Sequence, residues 1–184
     1  MSQTASSSPL SHAGAAPRYV NLSFSTSVAM LLLRLMLGWV FVYAGSGKLF
    51  GAFGGIGMGT WMQVTAGLGL PVLPAAVWAW MAALSEFGCG ILVMVGLLTR
   101  LANLPLIFTM IVSIAAAVGQ NGFGGYFDPA KGYQVGYQFN VTLIVISTAL
   151  VLIGPGIVSL DALLFRRNFW SRGPQPLSGP SSVK

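Results

Sequence analysis

Acid is scarce in this sequence. Against nine Lys and Arg it carries three Asp and Glu in a chain of 184 residues, with one cysteine and one histidine. A single cysteine, Cys89, excludes an intrachain disulfide, a CxxC redox pair and a cysteine-built zinc or iron–sulfur centre. His12 is alone in a polar N-terminal stretch, so no intrinsic metal or haem centre is expected. Charged residues make up 7% of the chain, where soluble domains have about 25%. That shortage leaves no room for a large soluble domain. What is abundant is apolar: 55% of residues are hydrophobic, and the mean hydropathy is positive. The composition therefore specifies one membrane domain with short tails. The formal net charge of +6 would raise nucleic acid as a partner of a soluble protein. Here the cations sit mostly at helix ends and in the tails, with no basic–aromatic runs, which suits orientation in anionic lipid better than nucleic acid.

The stretch Leu31 to Phe50, LLLRLMLGWVFVYAGSGKLF, is long enough to cross a bilayer, which takes about 20 residues. It nevertheless carries Arg34 and Lys48, fourteen positions apart. On a helix Arg34, Gly38, Phe41, Gly45 and Lys48 share one narrow face. Lipid would not tolerate that face, so it must look at protein or water.

The chain divides as follows. Residues 1–26, rich in Ser, Ala and Pro, read as a flexible polar tail and not a signal peptide. Residues 27–160 form an all-α membrane domain of four helices, at about 28–50, 74–99, 101–120 and 137–153. Gly51 to Pro71 is glycine-rich and uncharged. It reads equally as a plain loop or as a short interfacial or re-entrant helix with Trp61 and Met62 at the interface. Its GGIGMG run lacks a P-loop lysine and follows a membrane helix, which weighs against a nucleotide site. In the second helix Ala79, Ala83, Glu86, Gly90, Val93 and Leu97 share a face of mostly small residues, suited to close helix packing. Thr109, Ser113, Ala116 and Gln120 give the third helix a mildly polar face. Residues 121–136 carry turn chemistry throughout. Gly154-Pro155-Gly156 ends the fourth helix, and Asp161 is placed to cap a short amphipathic piece. Residues 161–184 then form a basic juxtamembrane segment, with Arg166 and Arg167 at the lipid headgroups, and a disordered tail.

Four helices put both termini on one side. That side collects Arg18, Arg100, Arg166, Arg167, Arg172 and Lys184, while Lys48 and Lys131 fall on the other. The positive-inside rule makes the terminal side cytoplasmic.

The ordered set LLLRLMLGWVFVYAGSGKLF, GLGLP, EFGCGILVMVGLLTR, NGF and GPGIVSLD resembles the DoxX family of four-helix membrane proteins, over about Leu31 to Asp161. The family's characteristic charged positions map to Arg34, Lys48, Glu86 and Arg100. The resemblance implies a four-helix bundle in the bacterial cytoplasmic membrane. It implies a membrane subunit or anchor of a quinone-linked oxidoreductase or of an oxidative-stress complex, with other membrane or peripheral subunits as partners. A quinone is then the one small molecule implied, any redox centre lying on a partner or being the quinone itself. Relatives often open helix 4 with Tyr-Glu, where this chain has Tyr137-Gln138, so a role resting on that carboxylate is lost here.

Glu86 is the only acidic residue within the helices and the natural partner of Arg34, Lys48 or both. A charge left alone at bilayer centre costs at least ~2.5–3.5 kcal/mol. The three side chains form either a structural ion pair that fixes helix 1 on helix 2, or a polar pocket in which Glu86 handles protons and the cations orient a quinone or small anion. Gln120, Tyr137 and Asn140 are the candidate outer mouth of such a pocket. Arg100 reads as a topology-setting headgroup residue, and Cys89 as packing. Two other roles stay open: a non-catalytic structural or assembly protein, and a small transporter or channel.

Overall fold

The computed structural model describes residues 24–164. The tail before Phe24 and the basic segment with Arg166 and Arg167 lie outside the described residues. Helix α1 (Phe24–Phe50) leads into α2 (Gly57–Gly67), α3 (Ala75–Val95) and α4 (Thr99–Asn121). A hairpin of β1 (Tyr126–Asp128) and β2 (Gly132–Gln134) follows, and then α5 (Gln138–Ile153). By length and composition α1, α3 and α4 are able to cross a membrane, and α5 is apolar but shorter. Leu32, Met36, Trp39, Phe108, Ile111, Val145 and Leu152 all face outward and exposed. The exterior at those heights is thus hydrocarbon-like, as lipid requires.

Each boundary has a local cause. Helix α3 stops at Val95, short of Thr99, because Gly96 takes a left-handed conformation, φ 72°. The amide of Leu97 then donates to the carbonyl of Leu92 at 2.9 Å and that of Gly96 to Val93 at 3.1 Å, a Schellman closure. Leu98 is also left-handed, φ 49°. Its amide and that of Thr99 are held by the two carboxylate oxygens of Asp161, at 2.8 and 3.1 Å. Asp161 therefore caps α4 from across the chain, not the local piece for which the sequence suggested it. The region 51–71, open between loop and helix in the sequence, contains α2. The 121–136 segment is not wholly loop: its hairpin is closed by Asp128, whose Oδ1 accepts from the amides of Ala130 and Lys131 at 2.8 and 3.2 Å.

Helix α1 runs antiparallel to α3 along the seam of small residues, and α4 packs on α5. The common core is Leu37, Phe41, Val93, Ala102, Leu106, Met110, Leu143 and Leu150. The closest backbone approach in the α1–α3 seam is at Gly45, where a Cβ would lie 2.5 Å from the backbone nitrogen of Phe87. Backbone cannot yield as a side-chain tip does. Gly45→Ala should therefore cost about 1–3 kcal/mol, the usual price of overpacking, read as a lowered unfolding midpoint in detergent. An unchanged midpoint would refute the close seam.

Candidate functional site

Lys48 lies in the last turn of α1, and α1 ends two residues later at Phe50. Its amine touches both oxygens of Glu86, each at 2.5 Å. The Glu86 side chain is 1% exposed and that of Lys48 21%. Glu86 belongs to a π-helical turn, Ser85–Cys89, inside α3. Such turns insert one residue into the helix and re-aim the side chains on it. Above the pair lies α2. Its Trp61 ring covers the lysine amine at 4.6 Å from the ring centroid, a cation–π contact in a desolvated place. The indole N–H of Trp61 donates to the carbonyl of Ala79 at 3.2 Å, which pins α2 to α3. The chain can turn back from α1 into α2 so tightly because Gly55 rests on the backbone of Gly47, where a Cβ would come within 2.3 Å.

Beside the pair is a cavity of about 170 Å³, walled by α2, α3 and α4. Lys48 and Glu86 form one edge. Trp61, Leu68, Leu70 and Trp78 line one side, and Ser85, Thr109, Met110 and Ser113 another. The Trp78 and Phe108 rings stack with centroids 6.3 Å apart. Met81, Pro105 and Phe108 on its rim are exposed, so the cavity opens sideways between α3 and α4, toward the lipid. Pro105 lies inside α4 and gives no backbone N–H to the turn before it. The hydroxyls of Ser85 and Thr109 meet at 3.1 Å across the α3–α4 contact. The site is thus an apolar chamber with one compensated charge pair and a few hydroxyls, the usual make-up of a small-molecule site.

Arg34 is not part of it. Its side chain is buried at the opposite end of the α1–α3 seam, about 21 Å along the helix from Lys48. There its guanidinium donates to the carbonyls of Pro155 and Val158, the latter at 2.9 Å, and of Met94 at 3.4 Å. Of the two cations offered as partners of Glu86, Lys48 pairs with it and Arg34 does not. Both α1's earlier start at Phe24 and α3's earlier stop bring Arg34 level with the end of α3, where orphan carbonyls and the negative end of the helix dipole attract a cation.

The three residues suggested as an outer mouth do not line the cavity. Gln120 is exposed at the end of α4. Tyr137 packs edge-on to Phe123 at 5.5 Å. Asn140 is buried and its amide contacts the sulfur of Met110 at 3.4 Å, touching the cavity wall from behind. Arg100 is exposed and reaches the carbonyl of Leu152 at 3.5 Å, joining α4 to α5. The sequence did not single out Ser85, Trp61, Trp78 or Phe108 as neighbours of the pair. The available signal was the serine preceding Glu86, matched by the Thr109 and Ser113 stripe one helix on.

A bundle of apolar helices with a buried Lys–Glu pair under a short covering helix has the make-up of a multi-pass membrane protein. Residues 29–119 match the DoxX family model, and over that stretch the chain is of the DoxX type of integral membrane protein. It is similar to the inner membrane protein YphA of Escherichia coli strain K12, 26% identical over 144 residues, 78% of this chain and 96% of that protein. No solved structure matches it significantly.

Proposed function

We propose that this protein is a membrane subunit or anchor of a quinone-linked oxidoreductase or oxidative-stress complex in the cytoplasmic membrane, and that the cavity beside Lys48 and Glu86 holds a quinone headgroup. The observation that carries this reading is the cavity itself. It is apolar, walled by two tryptophans, open to lipid between α3 and α4, and edged by a buried carboxylate. A ring arriving through the bilayer needs a lateral entrance, flat aromatic walls and a few placed polar groups, and this site supplies each. Glu86, kept in place by Lys48, is the group able to take up or release a proton there. The redox centre is then carried by a partner subunit or is the quinone itself.

The reading includes four spans with both termini cytoplasmic. Helix α5, with 16 residues, covers about 24 Å, and the segments flanking it complete the crossing. Arg100 and the basic residues of both tails then share the cytoplasmic side, as the positive-inside rule favours.

Gentle extraction into lipid nanodiscs, followed by organic extraction and chromatography, tests the site. The wild-type chain should retain roughly one quinone per protein, and Trp61→Ala should retain several-fold less. Absence of retained quinone from the protein, both alone and with its co-purifying subunits, would end this reading. The architectural alternative rests on the completeness of the Lys48–Glu86 pairing. It expects Glu86→Gln to lower accumulation without changing the quinone content of the protein that remains.

A further inference from the structure

All but one of the side-chain hydrogen-bond donors described on the cavity wall are committed, whereas acceptors are left over. The amine of Lys48 faces both oxygens of Glu86 and the ring of Trp61, which occupies its three hydrogens. The indole of Trp61 donates to Ala79 and that of Trp78 to the carbonyl of Pro71 at 3.1 Å. The hydroxyl of Thr65 donates to the carbonyl of Trp61 at 2.8 Å. Ser85 and Thr109 are the decisive pair. Ser85 Oγ lies 3.0 Å from the carbonyl of Ala82, Thr109 Oγ1 lies 2.9 Å from that of Pro105, and the two oxygens are 3.1 Å apart. These are three contacts served by two hydrogens. With both hydrogens kept on these contacts, at least three of the four hydroxyl lone pairs stay free. The carboxylate of Glu86 adds further acceptor capacity. Ser113, on the next turn of α4, is the remaining hydroxyl on the wall, and it donates or accepts.

Resting on the reading of this cavity as a quinone headgroup site, we propose that it selects a ring bearing hydroxyl donors, the quinol or phenol class, over the oxidised quinone. A quinone oxygen only accepts. Set against Ser85 and Thr109 it would oppose lone pair to lone pair and leave buried acceptors unmet. A quinol hydroxyl donates to either oxygen directly. Sites built around a ligand hydroxyl discriminate strongly against analogues that lack it. The bound couple is then biased toward its reduced form. A tenfold preference raises its two-electron potential by about 30 mV.

The test uses the full chain in nanodiscs and three probes: a decyl-tailed benzoquinol kept reduced under anaerobic conditions, the matching benzoquinone, and the quinol's dimethyl ether. Binding is followed by quenching of tryptophan fluorescence. The quinol should bind roughly tenfold tighter or more than both other probes. Thr109→Val with Ser85→Ala should collapse that ratio toward one, by weakening quinol binding and relieving the unfavourable contact with quinone. Ser85→Ala alone, the milder change, should lower the ratio in the same direction if the double variant does not fold. Quinone binding as tightly as quinol, or a ratio untouched by these variants, overturns donor selection and leaves the headgroup reading standing. Failure of all three probes to bind overturns both.

Discussion

Lys48→Leu is expected to destabilise the protein by about 3–5 kcal/mol, the cost of stranding one member of a buried ion pair. The loss follows from what stays behind. Glu86 is 1% exposed, and with the amine gone its carboxylate has no cationic partner within the described residues. Glu86→Leu should cost less, about 1–3 kcal/mol, because the Lys48 side chain is 21% exposed and its flexible stem lets the amine reach the bilayer interface. Lys48→Leu with Glu86→Leu should be far milder than the sum of the two, since the double variant exchanges a charge pair for apolar side chains beside an apolar cavity. Unfolding in mild detergent, followed by circular dichroism, gives the three values. The ordering is the sharper part: Lys48→Leu worst, Glu86→Leu intermediate, the pair together close to Glu86→Leu or better. Simple additivity would mean that the 2.5 Å contacts contribute no coupling.

How much of this was legible beforehand depends on how far each signal lies from its cause. The helices were readable because apolar length is a local property. The charged face of α1 was readable because helical periodicity places Lys48 on the same side as Gly45. The small-residue face of α3 was readable for the same reason, and together these two brought Lys48 to Glu86. The partner of Arg34 was not, because it depends on where two helices begin and end relative to each other. Gly96 carried the stop signal for α3, yet Leu97 and Leu98 prolong the apolar run, and only the Schellman bonds decide the matter. Asp161 was invisible as a cap for α4 because the helix it serves starts 62 residues earlier. The cavity was hidden for a further reason. It exists because α2 folds back over α3, and that reversal depends on contact between Gly47 and Gly55 that composition does not announce. The π-turn around Glu86, Ser85–Cys89, has no local sequence signal of its own.

Arg34→Leu should cost about 3 kcal/mol or more, because three carbonyls that share one guanidinium would each lose a charged donor. The carbonyls of Met94, Pro155 and Val158 belong to the end of α3 and to the segment after α5. One side chain therefore fastens α1 to two other parts of the chain at the same height. Arg34→Lys keeps the charge but replaces a planar fork by a point donor, so it should recover less than half of the loss. The damage should also be local in a predictable way. The amide of Asp161 donates to the carbonyl of Gly96 at 2.9 Å, and its carboxylate holds the amides of Leu98 and Thr99. Loosening residues 155–161 should therefore free the start of α4. Hydrogen exchange should accelerate at Leu98, Thr99 and Asp161, while amides around Glu86 stay protected. Arg34→Leu combined with Glu86→Leu should be additive within about 0.5 kcal/mol, as expected of sites more than about 10 Å apart with no shared partner. Coupling of 1 kcal/mol or more in that double variant, or faster exchange at Glu86 in Arg34→Leu, would show that the two cations of α1 serve one site after all.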